Sequence, residues 1–168
     1  MTTSTGETGR ANAPRAAKRP AIKVEAFLLR LPVFSELDAA DLDRMASATH
    51  SVRIEKGEAV FHRGDQCEGF HIVVYGQVKL AFTSPQGSEK VVEIVGPGQS
   101  FGEALMFLER PYIVSAHALA DAMLFHVPKH AVRGELERDP RFARKMLSGL
   151  SMRLHGLGIE AAGGEFVK

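Results

Sequence analysis

At 168 residues the chain suits one domain with a helical appendage, and 45% apolar against 24% charged residues is the ordinary composition of a soluble globular fold. The net charge of +1 is unevenly placed: Arg10, Arg15, Lys18, Arg19 and Lys23 face only Glu7 in the first 23 residues, so the body beyond them is net acidic and is excluded as a basic nucleic-acid surface. The single Cys67 excludes an intramolecular disulfide and an all-cysteine metal or iron-sulfur site within one chain, and a reducing cytoplasm is the expected location.

Residues 1–23 are Thr, Ser, Gly, Ala, Pro and basic residues without apolar periodicity, which predicts a disordered tail; a basic arm touching an acidic partner is the other reading. They lack the apolar run of a signal peptide, and nowhere does the chain approach the ~20 apolar residues of a membrane-spanning helix. Val24, Phe27, Leu28 and Leu31 then recur at helical spacing up to Pro32. Ser35, with Asp38 three residues on, is the expected N-cap of a second helix reaching Ala48, with Leu37, Leu42 and Met45 on one face.

Between His50 and Val127 the apolar period falls to two. Short runs at 51–55, 59–62, 69–75, 77–83, 89–95, 113–119 and 122–127 are separated by Gly, Pro, Asp and Ser turns, which predicts an antiparallel β-roll or barrel. One stretch breaks the pattern: Gly96-Pro97-Gly98-Gln99-Ser100-Phe101-Gly102-Glu103-Ala104 ends a strand and leads into a short apolar helix. Such a turn can direct several backbone N–H groups at one spot, and Glu103 can accept from ligand hydroxyls; a plain strand-to-helix turn is the alternative.

After Pro128 the period returns to 3.6. A short helix containing Ala131 and Leu136 is ended or bent at Asp139-Pro140, and Phe142, Met146, Leu150, Leu154 and Leu157 then form a stripe at spacings of 4, 4, 4 and 3. The stripe reads either as a helix lying on its own domain or as a seam between two chains.

In register over residues 24 to about 158, Lys56-Gly57, Arg63-Gly64-Asp65, Tyr75-Gly76-Gln77-Val78-Lys79-Leu80, Gly87, Gly98-Gln99-Ser100-Phe101-Gly102-Glu103 and Ser115-Ala116 resemble the cyclic-nucleotide-binding domain of the Crp/Fnr transcription regulators. The resemblance implies a mainly β fold with flanking helices. Residues 24–127 would form an antiparallel double-stranded β-helix, or jelly-roll, domain, and residues 128–168 helices that include the dimerisation helix. It places Phe142, Met146, Leu150, Leu154 and Leu157 at a homodimer seam, and a small-molecule effector at Phe101, Gly102, Glu103, Ala104, Arg110, Ser115 and Ala116. The family's pattern sets an arginine for the cyclic phosphate just before the Ser-Ala pair, where this chain has Val114. Dependence on cyclic AMP or cyclic GMP is therefore disfavoured, with Arg110 as the one nearby substitute.

The residues from Met106-Phe107 through His117-Ala118 are similar to the nitric-oxide-sensing, denitrification-type branch, which implies haem. His71 and His155 are the candidate ligands, with Cys67 as a ligand or redox-sensitive thiol, although a structural role is the ordinary reading of each. No paired metal-ligand spacing is present, and the motifs of a jelly-roll enzyme are missing. Family members continue into a helix-turn-helix that reads DNA; the sequence to Lys168 has none, so DNA is expected only through a missing half or a full-length partner chain. A cyclic-nucleotide-binding domain and a ligand-free dimerisation module remain the alternatives.

Overall fold

A computed structural model describes residues 23–165; the predicted tail thus lies, but for Lys23, outside the described residues. Helix α1 (Val24–Arg30) is followed by a 3-10 turn at Pro32–Phe34 and by α2 (Ala39–Ala48). The α2 cap differs from the sequence expectation. Asp38, in extended conformation, accepts from the Asp41 N–H at 2.9 Å, whereas the Ser35 hydroxyl donates back to the Pro32 carbonyl. The 3-10 turn absorbs Ser35 and moves the helix start three residues on.

Eight strands follow: β1 (His50–Ile54), β2 (Ala59–Phe61), β3 (Gly69–Tyr75), β4 (Val78–Thr83), β5 (Glu89–Val95), β6 (Ser100–Phe101), β7 (Ser115–Ala118) and β8 (Ala122–Pro128). They form two four-stranded antiparallel sheets, β1-β8-β3-β6 and β2-β7-β4-β5, the expected β-roll. The two-residue β6 has too little sequence for a period to show, and it pairs with His71 and Ile72 of β3. Gly69 is required where β3 crosses β8, because a Cβ there would stand 2.2 Å from the Val127 carbonyl oxygen. Ile72, Val73, Val78, Val95, Leu124 and Val127 are buried between the sheets and the helices, and Phe27 of α1 meets Phe125 edge to face.

Helix α3 (Glu103–Leu108) interrupts the second half of the roll, and α4 (Lys129–Arg138) and α5 (Pro140–Glu165) close the described chain. Asp139 ends α4 and starts α5. Its carboxylate accepts from the Arg141 N–H at 2.9 Å, and Pro140 takes the first helical position, where a missing N–H costs nothing. Three helices are joined by ion pairs: Arg44 of α2 bonds Glu135 of α4 and Asp41 of its own helix, and Lys145 of α5 reaches Asp41 at 3.0 Å and Asp38 at 3.4 Å.

The expected dimer stripe requires correction. Phe142 and Met146 are 1% and 4% exposed and belong to the chain's own core, so they are not available to a second chain. The reason is the close seat of α5 on the 3-10 turn. At Gly149 a Cβ would lie 1.9 Å from the Pro32 carbonyl oxygen, which turns the Phe142-Met146-Gly149 face inward. Among the described side chains of α5, the exposed large apolar ones are Leu147, Leu150 and Met152. Leu154 and Leu157 fall on α5 outside the residues whose side chains are described.

Candidate functional site

The stretch that breaks the strand period is built by glycines at positive φ. Gly98 (φ 81°) donates to the Val73 carbonyl at 2.8 Å, and Gly102 (φ 95°) is the N-cap of α3, its carbonyl accepting from Met106 N–H at 3.1 Å. Glu103 stands in the first turn of α3, half-buried, and Ala104 is exposed. At the far end Glu109 (φ 54°) closes α3 in a left-handed conformation that is unusual for a residue with a Cβ, and its carboxylate pairs with Arg133 of α4.

Arg110 is exposed; its backbone N–H donates to the Leu105 carbonyl at 3.1 Å. Ser115 is half-buried and its hydroxyl accepts from the Arg63 N–H at 3.0 Å, tying β7 to the β2–β3 loop. Ala116 is fully buried opposite Phe61 and Leu80. Phe101 is buried and stacks on His71, centroids 5.2 Å apart.

Between Gly102 and Ser115-Ala116 lies a cluster of rings that the sequence reading did not single out. Phe61 is its centre: Tyr112 stacks on it at 3.5 Å and 7°, with Phe101 at 6.0 Å and His71 at 6.2 Å. Tyr112 is 5% exposed and lies against Gly102, where a Cβ would meet the tyrosine ring at 3.8 Å. Its backbone is fixed from both sides, the N–H donating to Asp65 and the carbonyl accepting from Gly64. The buried Cys67 thiol donates to the carbonyls of Gly69 at 3.3 Å and Gly102 at 3.6 Å, directly beside this ring. Burial pushes the Tyr112 hydroxyl well above its ordinary value, with Cys67, Asp65 and Glu68 adding to it.

His71 completes the cluster and opens a second one. His50, His126 and His71 sit opposite one another across β1, β8 and β3, and His126 Nδ1 is 3.1 Å from His71 Nε2. Desolvation, with the neighbouring His126 and His50, pushes the His71 imidazole down to about 3, so the ring is neutral. Its Nδ1 is buried and has no hydrogen-bond partner. Periodicity could not reveal this row, because cross-strand neighbours become visible only once the register is known.

Of the haem candidates, His71 is enclosed by Phe61, Phe101 and His126, while His155 is exposed on α5. The two are not brought into one site. As these side chains stand they do not fit a haem, and among the described residues no group of three or more His, Cys, Asp or Glu could hold a metal ion.

The family pattern of the cyclic nucleotide-binding domain matches residues 51–139, more than half of the chain and all eight strands except the first residue of β1. The chain belongs to the cyclic nucleotide-binding domain family. This domain is 24% identical over 131 residues to the CRP-like cAMP-activated global transcriptional regulator of Mycobacterium tuberculosis, over 78% of this chain and 58% of that protein. It is 27% identical over 129 residues to the cyclic AMP receptor protein of Thermus thermophilus, over 77% of this chain and 60% of that protein. It therefore spans less than two thirds of the length of either relative. Among solved structures, the sensor domain of the transcriptional regulator DNR from Pseudomonas aeruginosa matches with a TM-score of 0.68 at 28% identity, over 81% of this chain and 91% of that one. In this domain no helix of the described residues is long and apolar enough to cross a membrane.

Proposed function

We propose that the chain is the cytoplasmic, non-enzymatic effector-sensing and dimerisation domain of a Crp/Fnr-type transcription regulator. Its small-molecule effector sits between Phe101-Gly102-Glu103-Ala104 and Ser115-Ala116, and α5 carries the signal to a second copy. The observation that carries this reading is the ring cluster joining those two segments, set in a family fold with Val114 where the family's pattern has an arginine. No Lys or Arg is among the buried described residues, which argues against an effector held through phosphate charge. Arg110, exposed in its turn, does not replace it.

Coupling follows contacts already described. Glu109 of the α3 cap pairs with Arg133 of α4, Glu135 of α4 with Arg44 of α2, and Asp41 of α2 with Lys145 of α5. An effector that shifts α3 favours one arrangement of α5 only if it binds that arrangement more tightly. The seam uses Leu147 and Leu150, with Leu154 and Leu157 continuing the 3,4 spacing. DNA enters through a helix-turn-helix half or a full-length partner.

Calorimetric titration with cyclic AMP and cyclic GMP tests the phosphate argument, with a haem absorption spectrum alongside. The wild type should give no heat at micromolar nucleotide, whereas Val114→Arg should raise cyclic AMP affinity by about 10- to 100-fold, the worth of one charged hydrogen bond. Tight binding to the wild type would reject the phosphate argument and leave the effector site in place. The seated Tyr112 ring favours a second reading, a ligand-free dimerisation module, which predicts no gain in Val114→Arg.

A further inference from the structure

Tyr112 stands in the interior as a ligand would. Its ring is flush against Phe61, centroids 3.5 Å apart and planes within 7°. Aromatic rings prefer an offset or edge-on arrangement with centroids about 4.5 to 7 Å apart, so this overlap is set by the clamped backbone and not by ring preference. The hydroxyl is held by a long contact, 3.5 Å from the Gly69 carbonyl oxygen, and by the Cys67 thiol. The same cluster includes His71, whose buried Nδ1 lacks a partner, a rare and costly condition for an interior polar atom.

We propose that the effector is an uncharged planar heteroaromatic molecule that displaces the Tyr112 ring, stacks on Phe61 and hydrogen-bonds His71 Nδ1. This inference rests on the effector-site reading above and specifies its ligand. The shape argument comes from the rings, which present flat faces to whatever replaces the phenol. The polarity argument comes from His71: whichever tautomer its bond with His126 selects, Nδ1 needs one donor or one acceptor, and a nitrogen heterocycle carries both. The charge argument comes from the surroundings. Phe61, Phe101, Tyr112, Val114 and Cys67 carry no positive charge, and the segment that holds the Tyr112 backbone carries the acidic Asp65, so an anion finds no counter-charge among them. Because the Tyr112 backbone is held by Gly64 and Asp65, the ring leaves by rotation of its own side chain.

The chain has two tyrosines and no tryptophan, which makes the displacement directly visible. In Tyr75→Phe, Tyr112 is the sole strong emitter. Adenine and cyclic AMP, the same ring without and with an anion, are the probes, titrated by tyrosine emission and by calorimetry. Adenine should change Tyr112 emission and bind at least about 10-fold more tightly than cyclic AMP. Tyr112→Leu should tighten adenine by a similar factor, since no ring then competes for the place. His71→Phe should weaken it by about 10-fold, one hydrogen bond. Cyclic AMP binding more tightly than adenine would overturn this inference while leaving the effector site standing. Absence of heat from both probes, in the wild type and in folded Tyr112→Leu, would overturn the inference and the effector site together. If Tyr112→Leu fails to fold, the emission titration of Tyr75→Phe decides alone, a flat signal counting against the proposal.

Discussion

Arg44 and Glu135 are 91 residues apart in the chain, yet the guanidinium donates to both carboxylate oxygens, Nε at 2.6 Å and a terminal nitrogen at 3.0 Å. Glu135 is 6% exposed, and Asp41, also bonded by Arg44, is 4% exposed. Arg44 thus serves two buried carboxylates, of which only Asp41 has Lys145 besides, and its charged form is favoured first by its bond to Glu135. Removing it as Arg44→Ala leaves Glu135 without its cation and should lower the melting temperature by several degrees. Arg44→Lys should recover little, because an ammonium cannot make the forked bond. Thermal unfolding followed by circular dichroism decides this, and full recovery by lysine would mean that charge alone matters.

Two glycines in helices give opposite expectations. Gly149→Ala sets a methyl group 1.9 Å from the Pro32 carbonyl oxygen, a clash between backbone and Cβ that should cost about 2 to 3 kcal/mol. Gly134→Ala in α4 meets nothing within 4 Å and should stabilise by about 0.5 to 1 kcal/mol. Urea unfolding of the pair checks both, and equal effects would contradict the seat of α5 on the 3-10 turn.

His71 makes stability depend on pH. The unfolded chain protonates this imidazole near 6.5 and the folded chain only near 3. Between those values the unfolded state holds more protons, so stability falls as pH drops below about 6.5, by about 1.4 kcal/mol per pH unit for one such group. His126, also lowered by burial, acts in the same direction. His71→Phe keeps a ring against Phe101 and removes the effect. Denaturation at pH 7.5 and 5.5 should show the wild type losing about 1 kcal/mol more than the variant, whereas identical losses would show that folded His71 is protonated.

Leu150 and Phe142, about two helical turns apart on α5, separate under mutation. Leu150 is 38% exposed in the single chain. Leu150→Asp should leave the fold intact and halve the mass seen by light scattering, because the seam would hold an unpaired buried charge. Phe142 is 1% exposed, and Phe142→Ala should cost about 3 to 5 kcal/mol of stability. An unchanged dimer mass for Leu150→Asp would remove α5 from the interface.

The strands were legible in the sequence because turn residues separate them: Gly57, Gly64, Gly76, Gly87 and Gly98 all adopt positive φ at the breaks between runs. The turn at Gly102 and the helix after it were legible for the same reason. The stripe on α5 was misjudged because a 4, 4, 4 spacing drifts around a helix of 3.6 residues per turn, and which part faces inward was settled by Gly149, a residue without a side chain to notice. Tyr112, Phe61 and His71 escaped notice as a group because they come from a loop and two different sheets. Only the packing of the two sheets against each other, with the loop before β7, brings them together.

Gly149 also determines how α5 can move. A helix whose backbone rests on the Pro32 carbonyl cannot slide along its axis without lifting off that point, so the contact acts as a fulcrum about a third of the way along. The arm beyond it, from Gly149 to Glu165, is about 24 Å long. A tilt of about 10° therefore sweeps its tip through about 4 Å, nearly the rise of one helical turn. A displacement of the near end of α5, whose arm is about 14 Å, is thus delivered to the far end nearly doubled.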